Sequence, residues 1–485
     1  MGKYISSLFE PTIKLEEQSL EDFSYGTAGY APGENRSFES RGVTYPYVSL
    51  NSYTFGPKEI IRCEIDCTEF IPKLYLKVML LSSGEFLSKS FPKDGDIVSI
   101  YIRGRDDLFK PIRNDYVITS VSTSTQPNTS SDGRGSYVTV AGELNIPGIY
   151  DEVIFMERGT SYNVMKDLAK SLGLGFATNE DNTDDEMNWI NPNDSTLEFM
   201  KHITGAAWKD ENSFFTFFID MYYHLNFINV NDLISYDADT LLALAENTLT
   251  GAQFGDDEIK KALVEKCFTN HPNQRQNNFF MKRFKPINES SQISKTYGYA
   301  FNPIFYEHSG KEVWQLQAKS LITSGAEKEK IILRGKADDD SYNTLQKYNY
   351  VGIQHNGPDH NVHENFYFAR AHNLMNNLEM DKLNVEVELN KFNLNIYRYE
   401  NVPTIFFITN DVKRIKEQNM DVDPDPTKDT DEAVPIAVDK FYTGHYLIKG
   451  MTVEYAPSGD ESELDAGINE TLVLTRREWP SPTNA

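Results

Sequence analysis

The stretch Thr443-Gly-His-Tyr-Leu-Ile-Lys-Gly-Met-Thr-Val-Glu-Tyr-Ala-Pro457 decides the fold. Tyr446 and Ile448 alternate onto one face, as strand residues do, while Met451, Val453 and Tyr455 alternate one residue out of phase. Gly450 sits at the change of phase, as a bulge residue would. A bulge there bends a long strand and restores its apolar face, which curved sheets and barrels need. Far upstream, Arg113-Asn-Asp-Tyr-Val-Ile-Thr-Ser-Val-Ser122 has much the same pattern.

The likeness extends to the neighbouring strands. In pattern, Leu74–Val78 matches Leu383–Val387, Ile97–Tyr101 matches Thr404–Ile408, Asp115–Ile118 matches His445–Ile448, and Tyr137–Val140 matches Thr471–Leu474. The order is the same in both regions. Closely spaced strands with turn chemistry between them, such as Pro92–Asp96, indicate an antiparallel sheet or barrel. Pattern alone leaves two readings open: a true duplication, or two β regions that merely share strand lengths.

Between these regions the period changes to that of a helix. Val164, Leu168 and Leu172 recur every four residues, with Thr160 or Ser161 as the cap and Gly173 as the stop. A second helix is expected from Asp194 or Ser195, with Leu197, Met200 and Ile203 on one face. Ser213–Val230 then reads as two aromatic strands joined near Asp220. Helical patterns follow at Thr240–Glu246, Asp257–Lys266 and Asn365–Leu378. The acidic segment Val412–Asp439 is expected to be a solvated loop.

Composition bounds the function. A chain of 485 residues suggests three or four domains, and 39% apolar with 12% aromatic residues supplies real cores. The formal charge of −25 argues against a protein that grips nucleic acid. It suits the lining of a passage to which DNA must not stick. No run of about 18 apolar residues predicts a membrane span, and the N-terminus lacks the apolar core of a signal peptide. Gly2 and Ser6 formally fit a myristoylation pattern, which short sequences match by chance. Cys63 and Cys67, if on one strand, lie about 13 Å apart, too far for a disulfide. With Cys267 they suggest assembly in a reducing cytoplasm and no zinc site.

Two clusters have metal-ligand residue types. His355, His360, His363 and Glu364 fall close together, but no Cys or HExxH frame supports them and a polar loop before a helix explains them. Asp421, Asp423, Asp425 and Glu432 occupy positions 1, 3, 5 and 12 of a calcium loop, yet Pro426 stands where glycine is needed. Gly173-Leu-Gly175 follows a helix, unlike a dinucleotide fingerprint. No motif for phosphate binding, serine hydrolysis or zinc proteolysis is present. The expectation is therefore no catalytic residues, no metal and no cofactor.

Ser161–Leu174, Trp189–Ile203, Phe214–Ile228 and Tyr442–Pro457, in this order between β regions, resemble the baseplate hub proteins of contractile-tailed bacteriophages. The same fold is similar to the N-terminal part of type VI secretion spike proteins. Family members usually enter the last long strand through Ser-Gly, where this chain has Thr443-Gly444. The resemblance implies a mixed β and α+β fold with two tail-tube-like antiparallel β-barrel domains, separated by a small α/β domain and a mixed insertion. The implied division is an N-terminal arm (1–44), a first tube-like domain (45–150), an α/β domain (151–235), a connecting domain (236–375) and a second tube-like domain (376–485).

It also implies a non-enzymatic homotrimer in the virion's tail baseplate, assembled in the host bacterial cytoplasm. Its implied partners are the tail tube protein, the central spike protein and other baseplate wedge proteins, with DNA passing through the lumen. Two other readings compete: the hub of another contractile injection system, and a carbohydrate- or receptor-binding tail component.

Overall fold

The computed structural model describes residues 4–15, 46–51, 53–56, 59–80, 86–102, 112–126, 135–234, 263–265, 278–285, 304–307, 313–315, 350–354, 362–380, 384–389, 396–406, 439, 442–456 and 468–476. The fold is mostly β, with few helices. In chain order the elements begin with β1 (Ser6–Phe9), β2 (Tyr47–Leu50), β3 (Tyr53–Thr54), β4 (Ile60–Asp66), β5 (Lys73–Leu80), β6 (Ile97–Ile102), β7 (Ile112–Gln126) and β8 (Gly135–Leu144). Then come β9 (Glu152–Gly159), α1 (Ser161–Ser171), β10 (Gly175–Thr178), β11 (Met187–Ser195), α2 (Thr196–Ala206), β12 (Phe215–Ile219) and β13 (His224–Asn229). The remainder holds β14 (Leu263–Glu265), β15 (Asn278–Lys285), β16 (Ile304–Glu307), β17 (Val313–Gln315), β18 (Tyr350–Gln354) and α3 (Phe366–Met380). The chain closes with β19 (Asn384–Leu389), β20 (Asn401–Ile405), β21 (Gly444–Tyr455) and β22 (Ile468–Thr475). Among the described residues, no helix is long and apolar enough to cross a membrane.

The two β regions share one sheet of 13 strands, in the order β20-β14-β15-β19-β22-β21-β4-β5-β8-β7-β6-β2-β3. β20 pairs with β21 as well as with β14, so the second half of the sheet curls back on itself. β14 and β15, from the connecting stretch, lie in that half. Leu263–Glu265 falls within a stretch whose pattern suggested helix. It forms a strand because it pairs in parallel with both β15 and β20, a tertiary demand that overrides a short local pattern.

Within this sheet the same antiparallel set occurs twice: β6-β7-β8-β5 and β20-β21-β22-β19. Tyr116 and Tyr446 are both fully buried and stand opposite Val98 and Val402. One step on, both regions bulge. Ile118 faces Gly142 and Ser120 faces Ala141, skipping Thr119; Ile448 faces Leu474 and Gly450 faces Val473, skipping Lys449. The extra residue is thus Lys449, one before the glycine expected there. A further bond recurs: the N–H of Ile118 donates to Asp96 O (3.1 Å), and that of Ile448 to Glu400 O (3.0 Å).

This anchor corrects the alignment of the other strands. Leu74 corresponds to Val385, Val140 to Leu472 and Val98 to Val402, two or three residues from the match that pattern suggested. Alternation has period two, so the two-residue slips at β19 and β22 keep every apolar residue inward, whereas the three-residue slip at β20 exchanges its faces; the ladder bonds fix all three registers. Several aligned core positions agree, but fully buried Glu470 takes the place of Val138 and fully buried Thr404 that of Ile100.

The small α/β unit is a sheet of order β1-β10-β13-β12, with α1 packed on β10 and β13. Thr160 caps α1 by accepting from Asn163 N. Gly173 ends it at φ +72, where Leu174 N reaches Ala169 O and Gly173 N reaches Lys170 O. That paired return is available because glycine tolerates the left-handed region. Ser195 caps α2. Asp220 makes the β12–β13 turn, its Oδ1 accepting from the N–H groups of Tyr222 and His224 (2.8 and 2.9 Å). The arm contributes an unexpected strand, since β1 pairs with the edge of β10. β9 and β11 form a separate ribbon, and β17-β16-β18 a small sheet.

Candidate functional site

The two β regions join where β21 pairs with β4, from Thr452 opposite Asp66 to Tyr455 opposite Cys63. A bulge leaves its extra residue outside the ladder, so the carbonyl of Lys449 needs another donor. Arg398 supplies it, with Nε 2.7 Å from Lys449 O. The same guanidinium donates to Glu69 O (2.6 Å) and Thr68 O (2.9 Å), on the loop after β4. It also lies over the Phe218 ring of β12, 4.5 Å from the centroid. One side chain therefore ties both β regions to the α/β unit. A guanidinium fits here because its planar fork serves several acceptors and stacks on a ring at once. The first region's bulge residue, Thr119, is exposed, and its hydroxyl donates to Ala141 O in its own sheet.

The next residue, Tyr399, holds a left-handed φ of 61, which is costly for a tyrosine. Its N–H donates to Ile448 O (2.6 Å) and its ring stacks on Phe218 at 5.3 Å. Burial lowers the Arg398 pKa, and nearby Tyr399, Cys67, Asp66 and Glu69 oppose that. Burial pushes the Lys449 amine down to about 8, against the pull of Glu69. The Cys63 and Cys67 thiols are pushed up to about 12, chiefly by burial. Thiols held protonated this way are poor nucleophiles.

Beside the junction opens a cavity of about 570 Å³. Its walls include the arm (Tyr4 and Glu10), the β12–β13 turn (Asp220 and Tyr222), the segment before β20 (Tyr397 and Glu400) and β21 (His445 and Met451). Arg398 lies in its lining. Glu10 approaches His224 Nε2 at 3.4 Å.

His363 belongs to the buried side of the α/β unit. It is 8% exposed, and its Nε2 lies 3.0 Å from Ala206 O at the end of α2. It reads as a structural contact between α2 and the segment leading into α3. His355, His360, Asp421, Asp423 and Asp425 lie outside the described residues, as do Glu432, Cys267, Thr240–Glu246 and most of Val412–Asp439. Among the described residues, no group of three or more His, Cys, Asp or Glu side chains converges as metal ligands. Sequence reasoning missed Arg398, whose setting in Tyr397-Arg-Tyr399 has no periodic or motif signal.

Burial depresses the His363 pKa from its ordinary 6.5, outweighing the opposing pull of Asp185, the Ala206 carbonyl and Asp184. The unfolded chain then binds the proton more readily than the folded one. Stability from this site is present above about 6.5 and falls as pH drops through it. Amides of α3 are expected to exchange faster at about pH 5.5 than at 7.5, once intrinsic rates are corrected. A His363→Gln chain should lose that difference. An unchanged pH response in the variant would assign the effect elsewhere.

No family model matches the chain, and no curated protein matches it in sequence. In fold it is similar to the tail protein from Neisseria meningitidis MC58, at TM-score 0.43 and 9% identity over 89% of this chain and 96% of that one. It is also similar to the 43 kDa tail protein of prophage MuSo2 from Shewanella oneidensis, at TM-score 0.40 and 9% identity over 89% and 98%. A third is an E. coli component of the type VI secretion system, itself described as similar to phage T4 tail proteins, at TM-score 0.37 and 9% identity over 90% and 79%.

Proposed function

We propose that this chain is the central hub of a phage-tail baseplate, a structural protein without catalytic activity. As a homotrimer it would form a pseudo-hexameric ring that joins a hexameric tail tube to a threefold spike. The observation that carries this reading is the repeated four-strand set, with its bulge and buried tyrosine at the same place in each copy. Two tube-like β-barrel units per chain and three chains give six units, which reconciles sixfold with threefold symmetry. The acidic charge of −25 supports a lumen through which DNA slides without binding. Wedge proteins would meet the ring from outside. The ribbon's outward Ile154, Met156 and Ile190 offer an apolar surface for contact between copies.

The test is the mass in solution at two concentrations. A trimer of the 55.4 kDa chain has a mass of about 166 kDa. The double variant Ile154→Glu, Met156→Glu is expected to shift this species toward monomer, while at high dilution its Tm stays that of the parent monomer, because both side chains are already exposed. A stable dimer would contradict the symmetry argument. A trimer unmoved by the variant would place the contact elsewhere.

A further inference from the structure

On the side turned away from β22, β21 is covered before and after its bulge. β20 lies against Gly444–Leu447, and beyond the bulge β4 takes over, from Thr452 opposite Asp66 through Val453 opposite Ile65 to Glu454 opposite Glu64. β7, its counterpart, is covered only before the bulge, where β6 lies against Ile112–Val117. Ser122, Thr123 and Ser124 correspond to Thr452, Val453 and Glu454, and among the described residues no strand lies on that side of them. All three side chains are exposed. Thr119–Gln126 carries neither charge nor proline, the usual protections of a strand edge. An edge of this kind takes up another strand.

The repeat identifies the strand that fits. β4 pairs with β5 as β15 pairs with β19. Ile65 stands opposite Leu74 and Phe284 opposite Val385, and Leu74 and Val385 are equivalent. β15 is therefore the second region's β4. β14 lies against β15 at Asn278 and Phe279, while Met281, Lys282 and Arg283 are exposed.

We propose that β15 of a second copy of this chain adds antiparallel to the β7 edge, repeating between chains the joint that β4 makes with β21 within one. Carried over, the register sets Ser122 opposite the partner's Lys285, Thr123 opposite the partner's Phe284 and Ser124 opposite the partner's Arg283. Thr123 stands opposite buried Val138 and shares its inward face. The added strand covers Thr123 as β4 covers Val453. Two different edges meet, so the joint is heterologous and builds a ring where the rotation closes. It rests on the ring reading above and supplies the strands that join its copies.

The test uses the full chain with Cys267→Ala, into which Ser124→Cys and Arg283→Cys are placed singly or together; Cys63 and Cys67 are buried. Directly opposed residues of an antiparallel pair are close enough for a disulfide. Oxidation of the double variant should give covalent trimers on a non-reducing gel. A mixture of the two single variants should give covalent dimers, and neither alone should. Thr123→Lys sets a charge on the inward face of the edge. It should shift the species of about 166 kDa toward the 55.4 kDa chain, and at high dilution keep the parent monomer's Tm, because Thr123 is exposed. A trimer by mass whose double variant stays as single chains on oxidation would overturn this joint and leave the ring reading standing. Covalent dimers from Ser124→Cys alone would replace it by β7 meeting β7. A chain monomeric at every concentration would overturn both.

Discussion

Replacing Arg398 with methionine is expected to cost about 3–5 kcal/mol, read as a fall in the urea midpoint at unchanged m-value. Three carbonyls lose their donor, and each bond to a charged group is worth about 1.5–3 kcal/mol net. Relief from holding a charge away from water offsets part of that sum. Arg398→Lys should recover little, because one ammonium cannot serve Thr68 O, Glu69 O and Lys449 O while lying flat on Phe218. The loss should be felt at the junction first, with amides of β21 and β4 losing protection before those of β7 and β8. A loss below about 1 kcal/mol for the methionine chain would mean that the guanidinium is a bystander and that strand pairing alone joins the regions.

Arg398 also marks the limit of what the sequence discloses. Local signals were readable wherever a residue's own backbone demands were the cause. Thr160, Gly173, Ser195 and Asp220 act within a few residues of themselves, and each caps, stops or turns where the pattern placed it. The range of β21 matched the alternation end to end, and its strand order relative to β7 was recoverable. The registers of β19 and β22 were not, since a slip by two residues is invisible to a period of two. β1 was missed because Ser6–Phe9 is short and almost wholly exposed, and becomes a strand only through the open edge of β10. The cavity was beyond reach for a related reason. Its carboxylates come from residues 10, 220 and 400, which only tertiary folding brings together.

The second large effect is expected at Asn373, buried at 2% exposure on α3. β12 is an edge strand, and an uncovered edge leaves backbone groups unpaired. Asn373 Oδ1 accepts from Phe215 N (2.9 Å), and Asn377, one turn on, donates to Phe215 O (3.0 Å). Two side chains at i and i+4 thus stand in for a neighbouring strand. Asn373 Nδ2 also faces the end of α2, donating to Ala207 O at 2.8 Å, with Gly205 O and Thr204 O at 3.2 and 3.3 Å. Asn373→Ala should therefore cost about 2–4 kcal/mol, from one orphaned N–H and at least one orphaned carbonyl. Asn373→Asp is the sharper variant. It keeps the acceptor for Phe215 N but sets a negative charge against the carbonyl end of a helix, where the dipole repels it. At neutral pH aspartate should be at least as damaging as alanine, and acidification into the carboxylate range should rescue it partly by protonation. Urea midpoints of the three chains at two pH values decide the matter. An aspartate variant as stable as the parent at neutral pH would show that only the bond to Phe215 matters, and that the end of α2 is satisfied without α3.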